Sequence, residues 1–267
     1  MYDNRPIGVI DSGVGGLTVA KEFTNILPKE SIIYLGDNIN VPYGNKTEEE
    51  IYRLTKDMID FLIKKDVKLI AVACNTISSL LDKYFLDFNI PIISIIEPVT
   101  NYVISQDLKK VGVLATNFTI KSATYERLLK GKNKDIQVIS EACPTLAGLI
   151  DNGDYTDKEI EIIIDLHMNN ILNQKKVEDI ILGCTHYPIV MEKFHKISSN
   201  INFINPAYEQ VLYIKEYLEK QGKVSNLETS TFEIYTTGQK EIYIEMINLL
   251  STKLPNKIEI VNTKGGF

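Results

Sequence analysis

The chain has 267 residues, enough for one or two ordinary domains, and its 44% hydrophobic and 24% charged residues exclude the disordered and fibrous classes. Its longest apolar runs, such as Leu69 to Ala73, fall far short of the roughly 20 residues that cross a bilayer, which excludes a spanning helix. Lys+Arg 29 against Asp+Glu 35 gives a formal charge of −6 without a basic tract to follow a phosphate backbone, so neither nucleic acid nor membrane is an expected partner.

The first apolar run, Ile7 to Ile10, reads as a strand ending in Asp11-Ser-Gly-Val-Gly-Gly-Leu17, whose glycines permit a tight turn before a helix through Phe23 and Ile26. A second strand, Ile32 to Leu35, feeds a loop from Gly36 to Lys46. Thr47 with Glu50 three residues on forms a capping box. Behind it Ile51, Leu54, Met58, Phe61 and Leu62 repeat at helical spacing, which predicts a helix with one buried stripe. A third strand, Lys68 to Ala73, stops at Cys74-Asn-Thr76 and passes into a helix through Leu80, Leu81 and Phe85. Strands separated by helices predict a parallel sheet covered on both faces.

From Val111 the same order returns. Gly112-Val-Leu-Ala115 matches Gly8-Val-Ile-Asp11, Ile136 to Ser140 stands where Ile32 to Leu35 stood, and Thr156 with Glu159 repeats the capping box. Asp179-Ile-Ile-Leu-Gly-Cys184 echoes Lys68 to Cys74. The offsets are 104 for Ala115 on Asp11, 109 for Thr156 on Thr47 and 110 for Cys184 on Cys74, a nearly constant period. The expected fold is α/β, with two pseudo-symmetric domains, mainly parallel sheets and the active site in the cleft between them. Residues 1–97 with 208–267 form the first domain and residues 98–207 the second. The segment from Gln210 has an amphipathic helix, a strand from Phe232 to Tyr235 and a helix around Ile242 to Leu250. It has no counterpart in the second half and crosses back to complete the first domain.

In open α/β sheets, ligands bind beyond the carboxyl ends of the strands. Those positions hold Asp11-Ser12, Pro42-Tyr43-Gly44, Cys74-Asn75-Thr76, Thr116, Thr119 and Cys184-Thr185-His186. Two facing repeats bring Cys74 and Cys184 to opposite walls of one cleft. Inverting a carbon centre requires a base on one face and an acid on the other, and a thiol with a pKa of about 8.5 serves as either. Asp11 is placed to assist Cys74, and His186 to assist Cys184. Cys143 has no counterpart in the repeat and reads as packing in a loop that borders the site, while His167 and His195 lie on ordinary helical patterns.

An odd number of cysteines without C-x-x-C spacing predicts free thiols in a reducing compartment and supports no zinc site. The residues before Ile7 lack the features of a signal peptide, so a cytoplasmic address is expected. Gly13-Val-Gly-Gly16 is similar to a dinucleotide fingerprint, but the third glycine is misplaced and no acidic residue convincingly closes a second strand for a ribose.

Ile7 through Leu17, Val41-Pro-Tyr-Gly44, Ala73-Cys-Asn-Thr76 and Leu182-Gly-Cys-Thr-His-Tyr-Pro188 stand in the order and spacing of a known family. Together with Ile96-Glu-Pro98 and Thr116 through Ser122, they resemble the glutamate racemases of the aspartate/glutamate racemase superfamily over nearly the whole chain. The resemblance implies interconversion of L- and D-glutamate, supplying the D-isomer for bacterial peptidoglycan, in a cytoplasmic homodimer that uses neither pyridoxal phosphate nor metal. It implies that Cys74 serves D-glutamate and Cys184 L-glutamate, with Asp11 and His186 as helpers. Ser12, Pro42, Tyr43, Gly44, Asn75, Thr76, Thr116, Thr119 and Thr185 would join these helpers in holding the substrate. Short donors and helix N-termini hold an anion without a full positive charge, which fits the lack of Arg in these motifs.

Three positions depart from the family pattern: Asp151 where Glu is more frequent, Asn205-Pro206 where Asp-Ser is common, and Gln239 after Thr236-Thr-Gly238 where an acidic residue is usual. The first bears on the contribution of its loop to the site, and the others on the domain junction or oligomer contacts. The short stretch before the first strand predicts no activation by a cell-wall precursor. The alternatives are another superfamily member, such as an aspartate racemase or a decarboxylase of related fold, and a binding or regulatory protein with a vestigial site.

Overall fold

The computed structural model describes residues 2–151, 153, 158–174, 176–253 and 255–261. The chain begins β1 (Ile7–Asp11), α1 (Leu17–Ile26), β2 (Ile32–Gly36), α2 (Glu48–Lys64) and β3 (Leu69–Val72). Two single-turn helices, α3 (Asn75–Ser78) and α4 (Leu81–Tyr84), then lead to β4 (Ile92–Ser94) and α5 (Ile96–Ser105). The second series is β5 (Lys110–Ala115), α6 (Asn117–Lys121), α7 (Thr124–Lys132), β6 (Gln137–Ala142), α8 (Leu146–Asp151), α9 (Lys158–Gln174), β7 (Asp179–Gly183), α10 (Met191–Ile197) and β8 (Asn202–Ile204). After it come α11 (Pro206–Gln221), β9 (Phe232–Thr236), α12 (Lys240–Leu250) and β10 (Lys257–Ile260).

Among the described residues all strand pairings are parallel. Six strands form one sheet in the order β10-β9-β2-β1-β3-β4, and four form another in the order β6-β5-β7-β8. The order β2-β1-β3-β4 therefore recurs as β6-β5-β7-β8, the spatial form of the repeat in the sequence. In both sheets the chain steps from the central strand to one side and then to the other, so β1 and β5 carry the switch points beyond which such sheets form crevices. β9 pairs with β2 and β10 with β9, so the segment after α11 extends the first sheet.

Alternation along the strands divides the core. Ile7, Val9, Leu69 and Ala71 join one cluster with side chains of α1, α5 and α11. Ile10, Ile70 and Val72 join another with the α2 stripe of Ile51, Leu54, Met58 and Leu62. In the second sheet Val111, Val113 and Ile181 reach the first of these clusters, while Leu114, Ile180 and Leu182 face Ile160, Ile164 and Met168 of α9. The layer of α1, α5 and α11 is thus packed with apolar side chains from both sheets, each fully buried one contributing roughly 1.5–3 kcal/mol. It fixes how the two strand ends meet.

Local chemistry follows the sequence in most places. Glu50 Oε2 accepts from the Thr47 N–H at 2.9 Å and Thr47 Oγ1 from the Glu50 N–H at 3.2 Å, completing the capping box of α2. Thr156, the partner read for Glu159, lies outside the described residues. Phe61 of the α2 stripe is only partly buried, its ring edge-on to Tyr235. The helix read through Leu80, Leu81 and Phe85 is instead the two turns α3 and α4. The Ser78 hydroxyl donates to the Val72 carbonyl at 3.3 Å and the Ser79 hydroxyl to the Asn75 carbonyl at 2.9 Å, and such bonds compete with a continuous helical ladder. Among the described residues no helix is long and apolar enough to cross a membrane.

Candidate active site

β1 delivers Asp11 to the carboxyl edge of the first sheet, and the turn from Ser12 to Gly16 leads into α1. Asp11 is fully buried. Its Oδ1 accepts from the Gly13 N–H at 2.9 Å and its Oδ2 from the Thr185 hydroxyl at 3.2 Å, which joins this turn to the one after β7. Burial pushes the carboxyl up to about 6, against the opposing pull of His186 and of these donors. The two turns approach closely only because one carries glycine: a Cβ on Gly15 would stand 2.6 Å from Thr185 Oγ1 and 2.7 Å from the His186 ring. Cys74 follows β3 at the N-cap of α3, and its Sγ donates to Ser12 Oγ at 3.5 Å. Burial first, and the Asp11 charge second, push this thiol up to about 12, so it is neutral at physiological pH. The Asp11 oxygens are engaged by Gly13 and Thr185, and Asp11 acts on Cys74 through its charge.

Cys184 occupies the matching place after β7. Its Sγ lies 3.6 Å from Nδ1 of His186, and Nε2 of His186 lies 2.7 Å from Oδ1 of Asp151 at the end of α8. Burial disfavours a charged imidazole, but the Asp151 carboxylate and the Cys184 sulfur outweigh it and hold His186 well above its ordinary 6.5. An imidazolium therefore stands beside Cys184.

Both sulfurs border one cavity of about 260 Å3, whose wall includes the predicted Ser12, Pro42, Tyr43, Gly44, Asn75, Thr76, Thr116, Thr185 and His186. Val41, Ala147, Gly148, Asp151 and Gly183 complete it, and no Lys or Arg is among the lining residues. This volume is just below the ~300–1,000 Å3 of drug-sized pockets and suits a small metabolite. Asp11 and Thr119 stand behind the wall. The Thr119 hydroxyl is 3.1 Å from that of Thr116, which is 3.1 Å from that of Thr76, so a chain of hydroxyls runs from α6 to α3.

Tyr43 offers the cavity its ring and main chain, because its hydroxyl donates to Asp37 Oδ2 at 2.6 Å. Asp37 is fully buried and also accepts from Asn40 Nδ2 and the Thr237 hydroxyl, tying β2 and β9 to the Tyr43 loop. Sequence reasoning passed over Asp37, although it closes β2 directly. Its saturated oxygens make it a support for the loop and not a ribose acceptor. Asn75 Oδ1 accepts from the Tyr125 hydroxyl at 2.6 Å, while the buried Nδ2 has no partner among the described residues. Such an orphaned donor costs about 1–3 kcal/mol until an acceptor arrives.

Asp151 stood out in the sequence only as a departure from a family pattern, yet it forms the wall beside His186. Asn205, another departure, caps α11 by accepting from the Ala207 N–H at 3.1 Å, and Gln239 sits at the N-cap of α12. Cys143 is buried outside the cavity wall, its carbonyl accepting from the Tyr187 hydroxyl at 3.0 Å. His167 lies 2.7 Å from Glu141, and His195 packs edge-on to Phe203, both away from the cavity.

The sequence pattern of the Asp/Glu/hydantoin racemase family matches residues 7–211. The glutamate racemase of Limosilactobacillus reuteri is 36% identical over 238 residues, covering 88% of this chain and 89% of that protein. A glutamate racemase isoform from Bacillus anthracis superposes with a TM-score of 0.91 at 32% identity over 98% of both chains. The Francisella tularensis glutamate racemase, solved in complex with D-glutamate, gives a TM-score of 0.88 at 32% identity over 99% of this chain and 100% of that one.

Proposed function

The chain belongs to the Asp/Glu/hydantoin racemase family, and we propose that it interconverts L- and D-glutamate by proton transfer through Cys74 and Cys184, supplying D-glutamate for peptidoglycan. The observation that carries this reading is a pair of cysteines at matching strand ends, after β3 and after β7, that border a single cavity. The D-glutamate bound to the Francisella relative supports the choice of substrate.

In the L-to-D direction Cys184, acting as the base beside the His186 imidazolium, takes the proton from Cα. The C–H bond breaks, and its electron pair spreads into the adjacent carboxylate. Cys74, held as a neutral thiol, gives its proton to the opposite face of Cα. D-glutamate leaves an enzyme whose Cys74 is thiolate and Cys184 thiol, the state that starts the reverse reaction, and proton exchange with water restores the first state.

The intermediate charge needs fixed donors in a site that excludes water. The hydroxyls of Ser12, Thr76 and Thr116, the Asn75 amide and the main chain at Tyr43, Gly44 and Thr185 supply them. Pro42 shapes the wall, and Thr119 orients Thr116. Asp11 fixes Thr185 and biases Cys74 through its charge. This reading places the site between two domains, residues 1–97 with 208–267 and residues 98–207, in a cytoplasmic homodimer that works without cofactor. The pairing of β9 with β2 supports that division.

Incubation with L-glutamate in deuterium oxide tests the mechanism. The D-product is expected to carry deuterium at Cα, and Cys184→Ala and Cys74→Ala each to lower turnover by about 10³-fold or more. Racemisation that survives either substitution overturns the two-thiol reading. Faster turnover of aspartate than of glutamate overturns the substrate assignment.

A further inference from the structure

We propose that Tyr125 is a positioning residue of this site: its hydroxyl locks the Asn75 amide in the one orientation that leaves Nδ2 available to a substrate carboxylate. The inference rests on the reading of Asn75 as a glutamate ligand. Tyr125 comes from α7 and Asn75 from the first turn after Cys74, so a bond of 2.6 Å joins residues 50 positions apart, on helices that follow different sheets. Tyr125 does not border the cavity, which makes its action indirect.

An asparagine amide has two orientations of nearly equal shape but opposite chemistry, since one end accepts and the other donates twice. With the amide reversed, Oδ1 would stand where Nδ2 now lies and would repel a carboxylate, and the Tyr125 hydrogen would need another acceptor. Tyr125 is buried, and that burial pushes its phenol well above its ordinary value, so it remains a donor. A donor facing Asn75 selects Oδ1 on its own side and turns Nδ2 away, which accounts for the buried Nδ2 that lacks a protein partner.

The ring is itself held in place. A Cβ added to Gly183 would stand 3.3 Å from Tyr125 Cε2, so the ring packs against the residue immediately before Cys184. One side chain therefore abuts the turn of one thiol and orients the ligand residue beside the other.

The test compares Tyr125→Phe, Asn75→Ala and the double variant in glutamate racemisation, with thermal unfolding of each. Phe keeps the ring volume and removes only the hydroxyl. Tyr125→Phe is expected to raise KM about tenfold while kcat stays within about threefold, the pattern of a lost binding contact. Asn75→Ala should raise KM at least as far, and the double variant should be no worse than Asn75→Ala, because the hydroxyl acts through that amide. A KM within about twofold of wild type in Tyr125→Phe, or effects that multiply in the double variant, overturns the proposal and leaves the ligand role of Asn75 standing. An unchanged KM in Asn75→Ala overturns both.

Discussion

Cys74 and Cys184 occupy the same place in two copies of one strand arrangement, yet opposite charges surround them. Cys74 is hydrogen-bonded to the Ser12 hydroxyl, and burial together with the charge of the buried Asp11 carboxyl pushes its thiol up to about 12. Around Cys184 stands His186, kept protonated by Asp151. The backbone repeat thus places the sulfurs, and side chains that are not repeated give them different electrostatic surroundings. The proposed racemisation needs an inequality, because two thiols would leave no base and two thiolates no acid. Equal energies of the two enantiomers force kcat/KM to be the same in both directions. The inequality is therefore visible only in the separate values of kcat and KM, and in isotope effects.

Removing the charge beside Cys184 breaks this comparison most directly. His186→Asn is expected to lower kcat/KM by about 10²–10³-fold in both directions. With α-deuterated substrates, its primary isotope effect should rise for L-glutamate, for which Cys184 is the proposed base, more than for D-glutamate. Equal rises for both isomers would mean that the two thiols are equivalent. Asp151→Asn is milder, about tenfold. Without that carboxylate, burial dominates and His186 loses its proton at lower pH, so the alkaline limb of the pH–rate profile should move toward acid. Stability follows the same linkage. The raised His186 pKa contributes stability that is present below 6.5 and lost as pH rises through the raised value. Denaturant titrations over that window should show the loss in wild type and not in Asp151→Asn.

The same contrast explains what could be read in the sequence. β1, β3, β5 and β7 were legible because nearly every residue of a strand covered on both faces is apolar, and each run ends at a turn. The strands β4 and β8 have three residues each, and β10 is only half-buried, too short or too mixed to show a period. Candidate residues within a motif were legible because a strand end and its turn are continuous in the chain. The long-range contacts that hold and tune them were not. Asp151 reaches His186 across 35 positions, Tyr125 reaches Asn75 across 50 and Thr185 reaches Asp11 across 174, and no local pattern encodes such contacts.

On the Cys74 side the sharper test is Asp11→Asn. The Asp11 carboxyl rises from 3.8 to about 6 on folding, so its stabilising contribution is complete below 3.8 and is lost as pH rises through about 6. At pH 7.5 ionisation of Asp11 therefore costs the native state about 3 kcal/mol more than it costs the unfolded chain. Asparagine cannot ionise, yet its Oδ1 still accepts from the Gly13 N–H, and the Thr185 hydroxyl can turn to accept from Nδ2. Asp11→Asn should accordingly unfold at higher denaturant than wild type at pH 7.5, with the advantage vanishing near pH 4. Losing the Asp11 charge also lowers the Cys74 thiol from its raised value, so iodoacetamide should alkylate Cys74 a few-fold faster while the rate at Cys184 changes less. A denaturation midpoint that does not rise at pH 7.5 would show that burial does not set the Asp11 carboxyl. An unchanged alkylation rate would show that the Asp11 charge does not help to raise the Cys74 thiol.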